Sequence, residues 1–322
     1  MDFSEDNTSQ LTTNELIRYA RHLSLPEIGI KGQERLKFSS VLCVGCGGLG
    51  SPLLLYLASV GVGEIGIVDF DLVEESNLQR QTIHSTEWLS KPKTSSARDR
   101  ILKINPYCKV KVFNLRLDNN NIFRIFSDFD VICDCTDNFP TRYLINDACV
   151  ILGKPIIYGS IQGFHGQTTI FNLTKDSPNY RDLLPDPPPN DLVPSCSQLG
   201  VLGILPGIIG LIQATEVIKV ITMIGDPLDG RLLVFDALKM KFKELRLIRD
   251  KNAKEITDLV DYQDLCSTKT KQSDISNISV LKLRDLLLDE NQNILLLDVR
   301  ESFEHNLNAI PGSELIPLGL IK

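Results

Sequence analysis

The stretch from Val41 to Asp71, VLCVGCGGLGSPLLLYLASVGVGEIGIVDFD, constrains the fold more than any other part of the chain. An apolar run, Val41 to Val44, fits a buried strand and breaks into Gly45-Cys46-Gly47-Gly48-Leu49-Gly50, a G-x-G-x-x-G pattern with one additional glycine. Pro52 suits the first turn of a helix continued by Leu53 to Ser59, and Gly61 and Gly63 end it before a second apolar run, Ile65 to Val68. Strand, glycine turn, helix and strand make a βαβ unit, so the expected fold is α/β, a Rossmann-like, mostly parallel sheet with flanking helices. In such a unit Gly45 permits the tight turn, Gly47 admits a phosphate to the backbone, and Gly50 lets the helix pack close to the strand. Asp69 stands where a ribose-binding carboxylate belongs. The alternative is a tight βα turn that binds nothing.

Polar residues follow at the positions where ligands of open α/β sheets sit, beyond the carboxyl ends of strands. Glu74 to Gln81 (EESNLQRQ) has no apolar period and directly follows the second strand. Lys93 opens a predicted helix, Thr94 to Ile104, where a cation is disfavoured by the helix dipole unless a phosphate lies nearby. A further buried strand, Asp130 to Cys135, ends on Asp137-Asn138. A carboxylate facing a triphosphate is costly without an intervening Mg²⁺, which makes Asp137 a metal-ligand candidate.

Farther on, the pattern predicts a helix at Arg142 to Leu152, a strand at Ile156 to Tyr158 and a half-exposed strand at Gln167 to Phe171. A long extended loop carries six prolines between Pro178 and Pro194 and ends on Cys196. Val193 to Thr215 is uncharged, but its glycines, serines and glutamines favour a buried helix starting near Pro206 over a membrane span. Asn14 to His22 reads as a helix with Arg18 and Arg21 on one face, and solvent exposure is the simplest reading of both. Beyond Arg249 the composition turns to Lys, Asp, Thr and Ser, which divides the chain into a domain over 1–250, a linker over 251–277 and a short segment over 278–322.

A net charge of −7 with no basic run argues against nucleic acid or an anionic membrane as partner. The 8 cysteines form no regular framework and suit reduced thiols. The acidic start, MDFSEDNTSQ, has no apolar core or Arg-rich amphipathic pattern, so the expected location is cytoplasm or, from the frequent Ile, Asn and Lys, a plastid stroma.

From about Asn14 to Asp250 the chain resembles the molybdopterin-synthase adenylyltransferases (MoeB), relatives of ThiF and the ubiquitin-activating enzymes. The resemblance rests on RYARH, VLCVGCGGLGSP, VDFDLVEESNLQRQ, KPKTSSARD, INPY and DCTDN together. It implies that ATP and the C-terminal glycine of a small β-grasp sulfur-carrier protein, ending in Gly-Gly, react to an acyl-adenylate and pyrophosphate. Carried over by motif, Gly48 and Asp69 would hold phosphate and ribose, Asn77, Arg80 and Lys93 the phosphates, and Asp137 the Mg²⁺. Arg21 would reach the ATP of the other protomer of a homodimer, which replaces its bland reading.

Two departures from the family pattern stand out. Many members hold a structural Zn²⁺ with two Cys-x-x-Cys pairs, and the matching positions here are Asn179 with Asp182 and Ala253 with Ile256, so zinc is expected to be absent. The tail, NILLLDVRESFEHNLNAIPGSELIPL, resembles the first half of a rhodanese domain without the loop for its active cysteine, so no sulfurtransferase activity is expected. Cys196 aligns with a loop cysteine that some relatives use to hold the activated carrier; a spectator thiol is the alternative. Thiamin and tRNA-thiolation carriers fit the resemblance as well as a molybdopterin one. An NAD-dependent dehydrogenase fits the glycine pattern alone but not the cationic set, and a non-catalytic binding module would explain the missing zinc ligands but not the intact Arg21, Asn77, Arg80, Lys93 and Asp137.

Overall fold

In the computed structural model, which describes residues 11–187, 200–262, 278–288 and 294–321, Val41 to Val44 are buried on both faces, as the centre of a parallel sheet requires. This strand, β1 (Ser40–Val44), lies between β2 (Glu64–Val68) and β4 (Val131–Asp134), with Cys43 opposite Ile67 on one side and Cys133 on the other. The sheet runs β3 (Lys109–Phe113), β2, β1, β4, β5 (Ile156–Gln162), β6 (His165–Phe171), β7 (Arg231–Asp236), β8 (Lys241–Arg246). The first five are parallel and the last three antiparallel. The chain thus leaves β1 toward β2 and β3 and returns to its other side at β4, which makes the β1/β4 boundary the topological switch point.

Helices cover both faces. On one, α4 (Gly50–Val60), α5 (Lys93–Ile104) and α9 (Leu205–Thr222) enclose an apolar layer around Leu53, Leu57, Ile65 and Val217; on the other, α6 (Ile122–Phe126) and α7 (Phe139–Leu152) pack around Leu42, Phe129, Ile132 and Tyr143. Helix α9 is long and apolar enough to cross a bilayer, but 61% of it is buried inside the domain, against α4, β5 and β6.

The amino-terminal helix is interrupted: α1 (Thr13–Arg18), opened by a Thr12 capping box, stops at Tyr19, and α2 (Ala20–Leu23) resumes. The next helix is α3 (Gly29–Phe38). Strand β6 is not half-exposed. Thr168 and Thr169 are fully buried, and their hydroxyls donate to the carbonyls of Tyr158 and of Leu228 and Arg231, so polar residues sit in the core with their bonds satisfied.

The first part of the proline-rich stretch is also more ordered than an extended loop. Asn179 and Asp182 form a reciprocal capping box around α8 (Tyr180–Leu183), and the Tyr180 backbone N–H donates to Asn146 Oδ1 at 2.7 Å. The Tyr180 ring packs on Tyr143, Tyr158 and Phe171. Pro188, Pro189, Pro194 and Cys196 lie outside the described residues.

The chain divides into two units, Met1–Thr268 and Lys269–Lys322. Residues just beyond 250 are tied to the first. Asp250 N–H donates to Asp182 Oδ1 at 2.8 Å, Asn119 Nδ2 to the Val260 carbonyl at 3.0 Å, and the Tyr262 hydroxyl to Asp147 Oδ2 at 2.8 Å. Asp147 is buried and also takes a two-bond contact from Arg181, at 2.9 and 2.7 Å. A boundary at Asp250 cuts off the Val260 and Tyr262 contacts. A chain ending at Asp250 is therefore expected to be about 2–3 kcal/mol less stable than one ending at Thr268, from loss of the Tyr262 ring and its bond to a buried carboxylate. Equal urea midpoints for the two would show that this strap contributes nothing. In the second unit, β9 (Leu297–Asp298) pairs in parallel with β10 (Glu314–Leu315), and no described side chain is buried.

Candidate active site

The carboxyl ends of β1, β2 and β4 meet at the glycine turn. Gly45 has φ of +90° and donates its N–H to the Val68 carbonyl at 2.8 Å; a Cβ there would lie 2.9 Å from the Cys135 carbonyl oxygen. A Cβ on Gly50 would lie 2.1 Å from the Gly45 carbonyl oxygen. Only glycine fits either position, and the turn is thereby pressed between the loops that follow β2 and β4. Beyond it, the N–H groups of Gly47, Gly48 and Leu49 have no acceptor among the described residues. Consecutive free N–H groups at the start of a helix favour an anion.

Its rim is polar. A Cβ on Gly47 would meet only the Gln81 side-chain amide, at 3.5 Å, and Gln81 Oε1 is buried without a partner. Gly48 faces Pro206 of α9 and the Arg80 stem. The Arg80 guanidinium donates to the Ser76 carbonyl at 2.9 Å, across the short turn whose buried Asn77 accepts from Glu74 N–H. Asp69 is fastened to the glycine turn itself, Oδ2 accepting from Cys46 N–H at 2.9 Å while Oδ1 accepts from Asp71 N–H.

Lys93 is the first residue of α5 and is buried, as a helix start that disfavours a cation would not predict. Asp71 offsets the charge, at 2.9 Å from Nζ. At the end of β4, the buried Asp134 accepts from Thr136 N–H and hydroxyl at 2.9 and 2.7 Å; burial pushes its carboxyl up, against the pull of Arg142. This turn delivers Asp137 to the surface at the same end of the sheet.

Arg21 is elsewhere. Its neighbours in the chain sit at the far end of α4: Tyr19 meets Gly61, and His22 bonds Gln33, which donates to the Val60 carbonyl at 2.7 Å. The 11 residues of α4 separate that end from the glycine turn, about 16 Å at 1.5 Å per residue. Arg21 is exposed and has no hydrogen-bond or ion-pair partner among the described residues, whereas Arg18 donates to the Ile104 carbonyl and stacks on Tyr107. Within one chain Arg21 does not join the other candidates.

A glycine-only cradle with free N–H groups and two cations beside it fits a nucleotide phosphate, and a lone exposed carboxylate such as Asp137 fits Mg²⁺, which takes one or two protein carboxylates and completes its shell with phosphate and water. No cluster of three metal-binding side chains exists among the described residues.

Residues 19–257 match the sequence pattern of the ThiF family. The chain belongs to that family. It is 48% identical over 322 residues, 97% of its length, to the probable adenylyltransferase/sulfurtransferase MoeZ of Mycobacterium tuberculosis, of which it covers 81%. It is 44% identical over 268 residues to the sulfur carrier protein adenylyltransferase of Thermus thermophilus, covering 80% of this chain and 99% of that one. Crystalline MccB of E. coli shares the fold, with a TM-score of 0.67 at 20% identity over 77% of this chain and 75% of its own. As a member of the ThiF family the chain is an adenylyltransferase, and the dehydrogenase and binding-module readings fall.

Four residues at this site escaped the sequence reading as individuals: Asp71, Gln81, His84 and Ser96. Asp71, Gln81 and Ser96 lie in motifs that drew notice for other residues; His84 carries no local pattern. The His84 ring is buried, and burial pushes its pKa down to about 4. An unfolded His84 binds its proton near pH 6.5 and the folded one only near 4, so stability falls as pH drops across that window. The expected size is about 2–3 kcal/mol. Urea unfolding of wild type and His84→Gln at pH 7 and pH 4.5 checks this; a stability difference between the two proteins that stays constant with pH contradicts it.

Proposed function

We propose that this chain uses ATP to adenylate the C-terminal glycine carboxylate of a small β-grasp sulfur-carrier protein ending in Gly-Gly, releasing pyrophosphate. The carrier we favour is of the molybdopterin-synthase small-subunit type. The observation that carries the proposal is the meeting of Arg80, the Asp71-held Lys93 and three free backbone N–H groups around one glycine turn, with Asp69 fastened to it. That set favours a polyphosphate over a dinucleotide's hydride chemistry.

In this reading Asp69 takes the ribose hydroxyls, the N–H groups from Gly47 onward take phosphate oxygens, and Arg80, Lys93 and Asn77 hold the phosphates. A glycine carboxylate is already ionised and needs no general base. One of its oxygens attacks the α-phosphorus, the bond from that phosphorus to the bridging oxygen breaks, and pyrophosphate leaves. The chain contributes alignment and charge: Lys93 and Arg80 favour the negative charge that shifts onto the leaving pyrophosphate. Mg²⁺ held by Asp137 would neutralise phosphate oxygens. Arg21 serves the site of the second protomer in a homodimer, a reading supported by its distance from the site of its own chain. At the positions where relatives place zinc thiolates, Asn179 and Asp182 instead cap α8, and we propose no structural zinc. Six free buried cysteines among the described residues favour a reducing setting, cytoplasm or plastid stroma.

ATP–pyrophosphate exchange with purified molybdopterin, thiamin and tRNA-thiolation carriers tests the proposal. Exchange is expected with the first; exchange only with another reassigns the carrier, and none with any of the three rejects the activity.

A further inference from the structure

We infer that His84 is a positioning residue that locks the Cys46–Gly47 peptide with its N–H toward the phosphate site and ties the glycine turn to the helix of Lys93. The inference rests on the nucleotide reading of the site given above.

The geometry is closed at both ring nitrogens. Nε2 lies 3.0 Å from the Cys46 carbonyl oxygen and Nδ1 lies 2.9 Å from Ser96 Oγ. A carbonyl has no proton to give, so Nε2 carries the hydrogen and donates. Nδ1 is then bare and accepts from the Ser96 hydroxyl, which fixes one neutral tautomer. Burial keeps the ring neutral at ordinary pH.

The consequence follows from peptide planarity. In a trans peptide the C=O and the following N–H point in opposite directions. By drawing the Cys46 carbonyl inward, His84 turns the Gly47 N–H outward, and that N–H is one of the three without an acceptor among the described residues. Between two such residues, one of them glycine, an unheld peptide plane rotates at little cost. On its other side Cys46 is held as well, its N–H donating to Asp69 Oδ2 at 2.9 Å. Asp69, Cys46, His84 and Ser96 thus form one hydrogen-bonded line, and Ser96 is three residues into the helix that Lys93 begins. The ribose acid, the phosphate turn and the lysine keep their spacing through a single imidazole that touches none of the substrate.

The test compares His84→Ala, His84→Gln and Ser96→Ala with wild type in ATP–pyrophosphate exchange and in equilibrium binding of adenosine, which lacks phosphates. In His84→Ala, exchange is expected to fall ten- to a hundredfold with adenosine affinity within twofold of wild type. In His84→Gln, whose amide keeps a donor for the Cys46 carbonyl, exchange is expected to return to within fivefold of wild type; Ser96→Ala should fall between. Exchange in His84→Ala within threefold of wild type overturns the inference, as does a parallel loss of adenosine binding or a glutamine variant no better than alanine. Crystal structures of the ligand-free proteins supply a readout independent of the proposed reaction. A Cys46–Gly47 plane rotated in His84→Ala supports the lock even where wild type proves inactive with every carrier, and an unmoved plane overturns it.

Discussion

Lys93→Ala is expected to lower ATP–pyrophosphate exchange by about a hundredfold or more while leaving the protein folded. A fixed charge aimed at a transferring phosphoryl group is worth about 3 kcal/mol of transition-state stabilisation, and Arg80 cannot stand in for it, because in the proposed reaction Arg80 already supplies its own charge to the phosphates. The fold is expected to survive because the partner left behind is not a buried charge. Asp71 is 49% exposed, so water takes over from the ammonium that it loses. A urea midpoint near wild type, together with the collapse of exchange, separates the two effects. Exchange within about threefold of wild type would remove Lys93 from the reaction.

Arg21→Ala and Lys93→Ala are each expected to be inactive alone and to recover about a quarter of wild-type activity when mixed. The basis is the position of Arg21 at the far end of α4 from the glycine turn, which it cannot reach within its own chain. In a twofold dimer each site then combines Lys93 of one protomer with Arg21 of the other. Random exchange of equal amounts makes about half the dimers mixed, and in each of these one site has both residues intact. The control mixes Arg80→Ala with Lys93→Ala. Both residues belong to the same chain's site, so every site of the mixed dimer lacks one of them and no recovery is expected. Once subunit exchange has been verified by native mass spectrometry, equal behaviour of the two mixtures would show that Arg21 acts in its own chain or not at all.

Much of this architecture is legible in the sequence because its signals are local. A strand that breaks into glycines leaves few folds open, and the acid after β2 and the lysine opening α5 stand out against the chemistry of their places. What stayed hidden depends on distant residues. The burial of Thr168 and Thr169 reads as exposure until their carbonyl acceptors at Tyr158, Leu228 and Arg231 are in view. The segment after Asp250 reads as a linker by composition, yet Tyr262 finds a buried carboxylate 115 positions earlier in the chain. His84 shows no pattern at all, since its two partners lie 38 and 12 residues away. Long-range hydrogen bonds leave no periodicity, and periodicity is what sequence reading detects.

The Asp71–Lys93 pair means that the idle enzyme carries its own competitor for the lysine. An ammonium left bare would collect any phosphate or sulfate that diffuses past. Here an incoming anion must first evict a carboxylate, and weak or monodentate anions gain little by doing so. In the proposed function, a nucleotide anchored at the same time by Asp69 and the glycine turn would bring its charge to the lysine at high local concentration, and the eviction would become favourable. In the reaction proposed above, Asp71 would be at hand to take the ammonium back when pyrophosphate departs, so the contact that filters entry would also favour exit.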